Sequence, residues 1–295
     1  MLEEFRPLSV DTAQTRIFLR RGGEGPPLLL LHGYPQTHVM WHSVAPVLAR
    51  RFTVVCPDLR GYGDSGKPPA GPDHAGYAKR AMAQDMVEVM SALGFDRFAV
   101  AGHDRGGRVT HRLCLDHPRR VTRAAVLDIV PTRTIFAATN KAIASSYYHW
   151  FFLSQPEPLP ERLIGGDPIF YLHRKLGAWG AAGLAAYAPE ALAEYERCFA
   201  NPAVIHATCE DYRAAATIDL EHDEADLDAR IACPFLVLWG EKGLMQKNFD
   251  VLATWREKAS GSVEGRALAC GHFLPEEQPE ATAAELLRFF GGDAR

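Results

Sequence analysis

The chain has 295 residues, of which 47% are apolar and 23% charged, and its formal net charge is −4. This length suits one large domain with an inserted segment, and the slightly acidic balance argues against nucleic acid or an acidic membrane surface as a partner. The longest aliphatic run covers only residues 28–31, whereas a membrane helix needs about 20 apolar residues. Because the first residues are acidic where a secretion signal is basic, we expect a cytoplasmic protein without membrane association.

Short apolar runs bounded by turn residues predict buried strands at 28–31, 52–56, 98–101, 124–127 and 235–238. Helix-length segments at 78–93, 108–116 and 279–290 alternate with them, which favours an α/β fold with a mostly parallel sheet. About a hundred residues separate the fourth run from the fifth, too many for one crossover. We therefore predict a helical cap of three or four helices at 133–230, inserted between core segments 1–132 and 231–295.

The six cysteines are scattered and form no CxxC pair. Their spacing suits neither a metal site nor a disulfide scaffold, and buried reduced thiols are the default expectation. We expect no metal and no cofactor.

The strand at 98–101 runs into Gly-His-Asp-Arg-Gly-Gly at 102–107, which a helix follows. A strand, a Gly-x-nucleophile-x-Gly turn and a helix form a nucleophile elbow, in which glycines relieve crowding around a strained turn. The central residue is Asp104. A carboxylate is a poor attacker of amides and esters, but it can displace a leaving group from a tetrahedral carbon and remain as an alkyl ester. The alternative role of Asp104 is a helix N-cap.

Hydrolysis of such an ester needs a base, and His272 follows Gly271 near the C-terminus, where chain order places the base of an elbow enzyme. A carboxylate must orient its ring. Asp128 directly follows the strand at 124–127, whereas position 243, where many such enzymes carry an acid, is Gly243. We assign Asp128, with Glu241 as the alternative.

The tetrahedral intermediate of ester hydrolysis needs an oxyanion hole. The backbone N–H of Arg105, which follows the elbow Asp, and the N–H of Tyr34, in the loop after the first predicted buried strand, are the expected donors.

Two arginines, Arg105 and Arg108, lie on one face at the start of the helix after the elbow. They would keep Asp104 ionised and suit a bidentate grip on a small substrate carboxylate. The alternative is an ion pair within the protein, for example to Asp128 or Glu221.

In the predicted cap, Tyr-Tyr-His-Trp-Phe-Phe at 147–152 concentrates aromatic surface that includes imidazole and indole N–H donors. Such a segment also fits an ordinary core. Tyr212 would add a phenol from another helix, and Trp179 is expected to wall the cavity.

From residue 28 to the last helix the chain resembles the alpha/beta-hydrolase superfamily, and specifically the fluoroacetate (haloacetate) dehalogenases. The resemblance rests on Gly-His-Asp-Arg-Gly-Gly-Arg at 102–108 together with Tyr-His-Trp at 148–150. It implies hydrolysis of fluoroacetate to glycolate and fluoride through an aspartyl ester, and a homodimer. Tyr34 stands where the family more often has Phe, which matters little because the backbone amide acts. By the resemblance the roles are nucleophile Asp104, base His272, its partner Asp128, carboxylate ligands Arg105 and Arg108, and halide donors His149, Trp150 and Tyr212.

Two other functions fit parts of the pattern. Epoxide hydrolases share the Asp/His/Asp set but usually carry Trp where this chain has Arg105, and they need two cap tyrosines. The candidates are Tyr147, Tyr148, Tyr171, Tyr187 and Tyr212. A non-catalytic ligand-binding protein on the same fold is disfavoured by the intact catalytic set.

Overall fold

The computed structural model describes residues 1–292, which contain a single eight-stranded sheet with strand order β1-β2-β4-β3-β5-β6-β7-β8. The two pairs that involve β2 are antiparallel, and all the others are parallel. The predicted α/β class with a mostly parallel sheet is confirmed. The strands are β1 (Arg6–Asp11), β2 (Arg16–Gly22), β3 (Pro27–Leu31), β4 (Thr53–Pro57), β5 (Phe98–His103), β6 (Val121–Leu127), β7 (Phe235–Gly240) and β8 (Val263–Leu268).

The central strands are buried on both faces because helices cover the sheet on each side. Every residue of β4 and β7 is buried, and this explains why their sequences are continuously apolar. The β1–β2 hairpin was not predicted, since β1 lies at the edge of the sheet and has no buried residue.

The helices of the core pack against the two faces of this sheet. Gly94 follows α2 with a φ of 84°, a backbone conformation that glycine adopts without a Cβ clash. These helices are α1 (Ala45–Leu48), α2 (Lys79–Ala92) and α3 (Arg105–Asp116), followed after the cap by α12 (Leu244–Asn248), α13 (Val251–Arg256), α14 (Leu274–Glu277) and α15 (Pro279–Gly291).

Between β6 and β7 the chain leaves the sheet. Residues 128–234, all of which the structure describes, contain eight α-helices, more than the three or four that we expected. The domain limits at 132/133 and 230/231 stay a prediction. The helices are α4 (Thr132–Ala137), α5 (Lys141–Ser146), α6 (Tyr148–Leu153), α7 (Leu159–Gly165), α8 (Pro168–Trp179), α9 (Pro189–Phe199), α10 (Pro202–Ala216) and α11 (Ile218–Ala225).

The strand order places the predicted site residues at one edge of the sheet. β3 has β4 on one side and β5 on the other, so the chain changes direction across the sheet at this point, where α/β proteins commonly bind ligands. Leu31 pairs with Gly102, and Leu127 pairs with both His103 and Leu238. The loops that follow β3, β5, β6 and β7 therefore begin side by side.

The six cysteines are free, and five of them are buried while Cys233 is partly exposed. Within residues 1–292, no helix combines the length and the apolarity that crossing a bilayer requires.

Candidate active site

The elbow is a strained turn built around Asp104, whose φ of 45° and ψ of −112° lie outside the regions that side chains favour. A Cβ at Gly102 would lie 2.2 Å from the carbonyl oxygen of Gly106, and a Cβ at Gly106 would lie 2.4 Å from that of His32. Both glycines are therefore required sterically. The Asp104 side chain makes no capping hydrogen bond to α3, so the structure disfavours the N-cap alternative.

Asp104 is held from the opposite loop by Tyr34, whose backbone N–H donates to Asp104 Oδ2 over 3.0 Å. A Cβ at Gly33 would lie only 2.6 Å from Asp104 Cβ, so this close approach of the two loops requires glycine. A hydrogen bond of 2.9 Å from the Gln36 N–H to the Gly33 carbonyl closes a turn around Tyr34. The second predicted oxyanion donor, the N–H of Arg105, is the first amide of α3.

His272 and Asp128 form the predicted base and acid pair. In the tautomer in which His272 Nδ1 carries the proton, it donates to Asp128 Oδ2 over 2.6 Å, and the Gly240 N–H donates to Asp128 Oδ1 over 3.0 Å. Glu241, the alternative partner, is exposed. A Cβ at Gly243 would lie 3.4 and 3.5 Å from the two carboxylate oxygens of Asp128, so the two possible acid positions serve the same point in space.

The charges at this point keep Asp104 ionised and increase the proton affinity of His272. Burial alone would raise the pKa of Asp104, but the positive charges of His272, Arg105 and Arg108 outweigh it and leave that pKa below its ordinary value. For His272, burial lowers the pKa, whereas the hydrogen bond and charge of Asp128 and the charge of Asp104 raise it above 6.5.

Glu277, which sequence reasoning missed, fixes the loop that carries His272. Its carboxylate accepts the N–H groups of Gly271 (2.9 Å) and Phe273 (3.0 Å), on either side of the base, and that of Ala181 from the cap (2.7 Å). The His272 N–H in turn donates to the Trp179 carbonyl over 3.0 Å. An acidic residue five positions after a Gly-His pair is too weak a signal to predict this role.

The guanidinium of Arg105 is fully buried and is paired with Asp211 of α10 rather than with Asp128 or Glu221. Its Nε donates to Asp211 Oδ2 and its Nη2 to the Asp211 carbonyl, each over 2.9 Å. Asp211 also accepts hydrogen bonds from Lys79 and from the Tyr62 hydroxyl. Arg105 Nη1 has no hydrogen-bond partner among the described residues.

Arg108 is held less completely. Its Nη1 donates to the Val130 carbonyl (3.2 Å) and to Thr132 Oγ1 (3.0 Å), while Nε and Nη2 have no partner in the described chain. Burial, and then repulsion from Arg105, lower the pKa of Arg108. Buried donors without partners are costly, so the free N–H groups of the two arginines indicate a site for an anion.

The three predicted halide donors come together above the elbow. Ring centroids of His149 and Trp150 lie 5.4 and 6.1 Å from that of Tyr212, and all three side chains are buried. The Tyr212 hydroxyl and His149 Nδ1 have no hydrogen-bond partner within residues 1–292. Burial, followed by the charge of Lys175, lowers the pKa of His149 well below 6.5. His149 is therefore a neutral imidazole with one N–H to donate.

Trp179, the predicted wall residue, lies between the base and this group of donors. Its ring centroid is 4.3 Å from that of His149 and 5.7 Å from that of His272. A cavity of about 170 Å³ beside Trp179 is also lined by His272, Asp128, Lys242 and Lys247. Lys242 and Lys247 are exposed, so this cavity lies next to the protein surface at α12.

The geometry at Gly243 yields a prediction about the charge state of the base. Asp128→Ser should lower the pKa of His272, because the carboxylate that raises it is gone, and adding Gly243→Asp should raise it again. Gly243 has a φ of −79°, which any residue can adopt. NMR titration of the His272 ring in the parent and both variants measures this shift. A His272 pKa in the folded double variant that is no higher than in Asp128→Ser alone would contradict the placement.

Known proteins match nearly the whole chain. The family model described as alpha/beta hydrolase fold matches residues 26–279. A fluoroacetate dehalogenase from a Burkholderia species is 48% identical over 100% of this chain and 96% of its own, and a soluble epoxide hydrolase from Corynebacterium sp. (strain C12) is 37% identical over 91% of each. The crystal structure of a candidate alpha/beta hydrolase from Nostoc sp PCC 7120 has a TM-score of 0.97 at 60% identity, covering 99% of this chain and 100% of that chain.

The elbow lies on a mostly parallel sheet, as does the pair formed by His272 and Asp128. The family model covers most of the chain, and the relatives match nearly all of it. The chain belongs to the alpha/beta-hydrolase family.

Proposed function

We propose that this protein is a haloacetate dehalogenase that converts fluoroacetate and water to glycolate, fluoride and a proton through an ester of Asp104. The observation that carries the proposal is the set of free, buried N–H groups on Arg105 and Arg108 beside an elbow carboxylate. A small substrate that has a carboxylate at one end and a leaving group on the adjacent carbon fits both features.

The first half-reaction is a displacement at a tetrahedral carbon. The N–H of Tyr34 holds Asp104 Oδ2, so Oδ1 is the attacking oxygen. It forms a bond to the α-carbon while the carbon–fluorine bond breaks and fluoride leaves with the electron pair. Arg108 and the free Nη1 of Arg105 fix the substrate carboxylate, which orients the α-carbon for in-line attack.

The leaving group is received by the three donors in the cap, His149, Trp150 and Tyr212. Fluoride is strongly hydrated and leaves poorly, so it needs donors that replace its water shell. Each hydrogen bond to a charged partner contributes roughly 1.5–3 kcal/mol. Because about 1.4 kcal/mol corresponds to a factor of ten in rate, three such bonds account for several powers of ten.

The second half-reaction hydrolyses the ester at the carboxyl carbon of Asp104. His272 removes a proton from water as the hydroxyl oxygen attacks that carbon, and the N–H groups of Tyr34 and Arg105 stabilise the oxyanion. The intermediate collapses, and glycolate departs with the proton from His272. Asp104 keeps one oxygen from water and returns to a carboxylate by releasing the second proton of that water to solvent. In the free protein the charge of Asp104 raises the pKa of His272. Alkylation removes that charge, so this pKa falls and His272 is more readily neutral when it has to accept a proton from water.

Relatives favour the dehalogenase over the epoxide hydrolase. The Burkholderia fluoroacetate dehalogenase is 48% identical to this chain and the Corynebacterium epoxide hydrolase 37%. Arg105, where epoxide hydrolases usually carry Trp, supports the same choice, since a neutral epoxide has no carboxylate for two buried arginines to bind. Comparing fluoride release from fluoroacetate with opening of styrene oxide separates the two activities.

We further propose that residues 133–230 act as the cap that supplies the halide donors. The homodimer and the cytoplasmic location stay predictions. In the cap, Leu159, Leu163 and Phe170 are exposed apolar side chains that a second copy of the chain would cover.

The covalent route predicts where oxygen from solvent goes. In a single turnover of fluoroacetate in heavy-oxygen water, the label should enter Asp104, because water attacks the carboxyl carbon of the ester, and the first glycolate should be unlabelled. Mass spectrometry of the peptide that contains Asp104 and of the product measures both. Label in the first glycolate would exclude the ester and indicate direct attack of water on the substrate.

Removing the base should separate the two half-reactions. In His272→Asn, one equivalent of fluoride should still be released, because displacement needs only Asp104 and the donors, whereas ester hydrolysis should slow by about 10³–10⁴-fold. Intact-protein mass spectrometry should therefore detect a persistent adduct on His272→Asn. The control, Asp104→Asn, should release no fluoride and form no adduct. Continued steady turnover by His272→Asn would contradict the assignment.

The free N–H groups of Arg108 predict selective loss of carboxylate binding. Arg108→Gln should raise KM for fluoroacetate about 10²-fold or more, because two charge-assisted hydrogen bonds are lost, and it should change binding of neutral fluoroacetamide far less. Arg112→Gln is the matched control on the same helix, since Arg112 pairs with Asp116, Asp223 and Asp226. Equal losses for the acid and the amide would assign Arg108 a structural role.

A further inference from the structure

A buried carboxyl group that the mechanism does not use, that of Glu276, lies in α14. Glu276 Oε1 accepts hydrogen bonds from the Tyr195 hydroxyl over 2.5 Å and from Gln36 Nε2 over 3.1 Å. Gln36 Nε2 also lies 3.2 Å from the Tyr195 hydroxyl oxygen. Gln36 and Tyr195 are both fully buried, and the Glu276 side chain is 1% exposed. We call these three residues the Glu276 cluster.

The Glu276 cluster joins three segments whose relative positions define the site. Gln36 ends the turn whose N–H at Tyr34 holds Asp104. Glu276 itself comes four residues after the base and one before Glu277, which fixes the base loop. Tyr195 belongs to α9 in the cap. One carboxyl group therefore ties the oxyanion turn, the segment after the base and the cap together.

The surroundings disfavour a charged Glu276. The titratable groups that face it are Tyr195 and Tyr187 from the cap, Glu277 on its own helix and His42. Among the described residues no Lys or Arg forms an ion pair with Glu276. His42 Nδ1 lies 3.7 Å from Glu276 Oε2, but its hydrogen-bond partner is the Val39 carbonyl at 3.1 Å.

The charged groups next to His42 do not change this conclusion. Burial lowers the pKa of His42, and Glu190 and the N-terminal amino group act on it with opposite signs. His42 is therefore neutral at pH values above its ordinary pKa of 6.5. Burial raises the pKa of Glu276 to about 8, against hydrogen bonds from Tyr195 and Gln36 that lower it.

We propose that Glu276 is a positioning residue that works as a neutral carboxylic acid: it fixes the turn at 33–36, and through it the N–H of Tyr34, against Asp104. The proposal rests on the role assigned above to the Tyr34 amide. A buried carboxylate without a cation is costly, so ionisation favours a hydrated arrangement in which the hydrogen bonds of the cluster are broken. The turn then opens more often.

Linkage gives the direction and the size of this effect. In the packed cluster Glu276 releases its proton near pH 8, and in a hydrated one near its ordinary value of 4.5. Between these two values each pH unit makes opening about tenfold more frequent, and above pH 8 the effect is complete. The packed arrangement is thus best stabilised on the acidic side.

The test compares the wild-type protein with Glu276→Gln, which keeps the shape and the acceptor but cannot ionise. Infrared difference spectra between the two should contain a protonated carboxyl band near neutral pH that disappears above pH 9. Amide hydrogen exchange at Tyr34 and Gln36, corrected for intrinsic rates, should become about tenfold or more faster between pH 6.5 and 8.5 in the wild type but not in Glu276→Gln. A carboxylate band at neutral pH, or the same pH dependence in both proteins, would overturn the proposal.

Turnover provides a second readout. At pH 7, Glu276→Gln should keep kcat within about threefold, whereas Glu276→Ala should lose tenfold or more. Should Glu276→Ala fail to fold, Tyr195→Phe, which removes only the cap donor, should show an intermediate loss. A loss in Glu276→Gln as large as in these variants would contradict the role of the neutral acid. Lys175, whose pKa burial lowers to about 7, titrates in every variant and cancels in the comparison.

These measurements also separate this proposal from the proposed function. Infrared spectra and hydrogen exchange need no substrate. If the wild type released no halide from any haloacetate, the dehalogenase proposal would fail while the spectra and exchange rates still decided the state of Glu276.

Discussion

The arrangement of the site depends on keeping one buried carboxylate charged. Asp104 is 6% exposed, and a carboxylate in such a place would ordinarily take up a proton. It stays ionised because His272, Arg105 and Arg108 surround it and because the backbone N–H of Tyr34 donates to it. Each of these groups has a second role in the proposed reaction, so the charges that stabilise the resting nucleophile also position the substrate, activate water and receive the oxyanion.

Much of this could be predicted from the sequence, for physical reasons that differ between elements. The buried strands were recognisable because a sheet covered on both faces needs continuous apolar runs, and the elbow because its glycines are sterically required. Chain order then identified the base, and the missing side chain at Gly243 indicated Asp128. The fold class and the relationship to fluoroacetate dehalogenases are confirmed, whereas the individual roles of the site residues stay predictions.

What could not be predicted depends on contacts between distant parts of the chain. The partner of Arg105 is Asp211, 106 residues away, and nothing in its local sequence distinguishes it from other acidic residues of the cap. The same holds for Glu276 and Glu277, which carry no motif of their own and act through backbone amides and buried donors. The β1–β2 hairpin was missed because an edge strand needs no apolar run.

The ion pair of Arg105 with Asp211 also limits how far the cap can move relative to the core. Asp211 belongs to α10 of the cap, while Arg105 and Lys79 belong to the core. Swinging α10 away as a rigid body would strand buried charges, at a cost of about 3–5 kcal/mol for a single broken pair. The cavity beside His272 and Trp179 is lined by neither Arg105 nor Asp211, so it does not depend on breaking this pair. With α10 held in place, access to Asp104 is restricted to molecules small enough to pass between the packed side chains of the cap and the core.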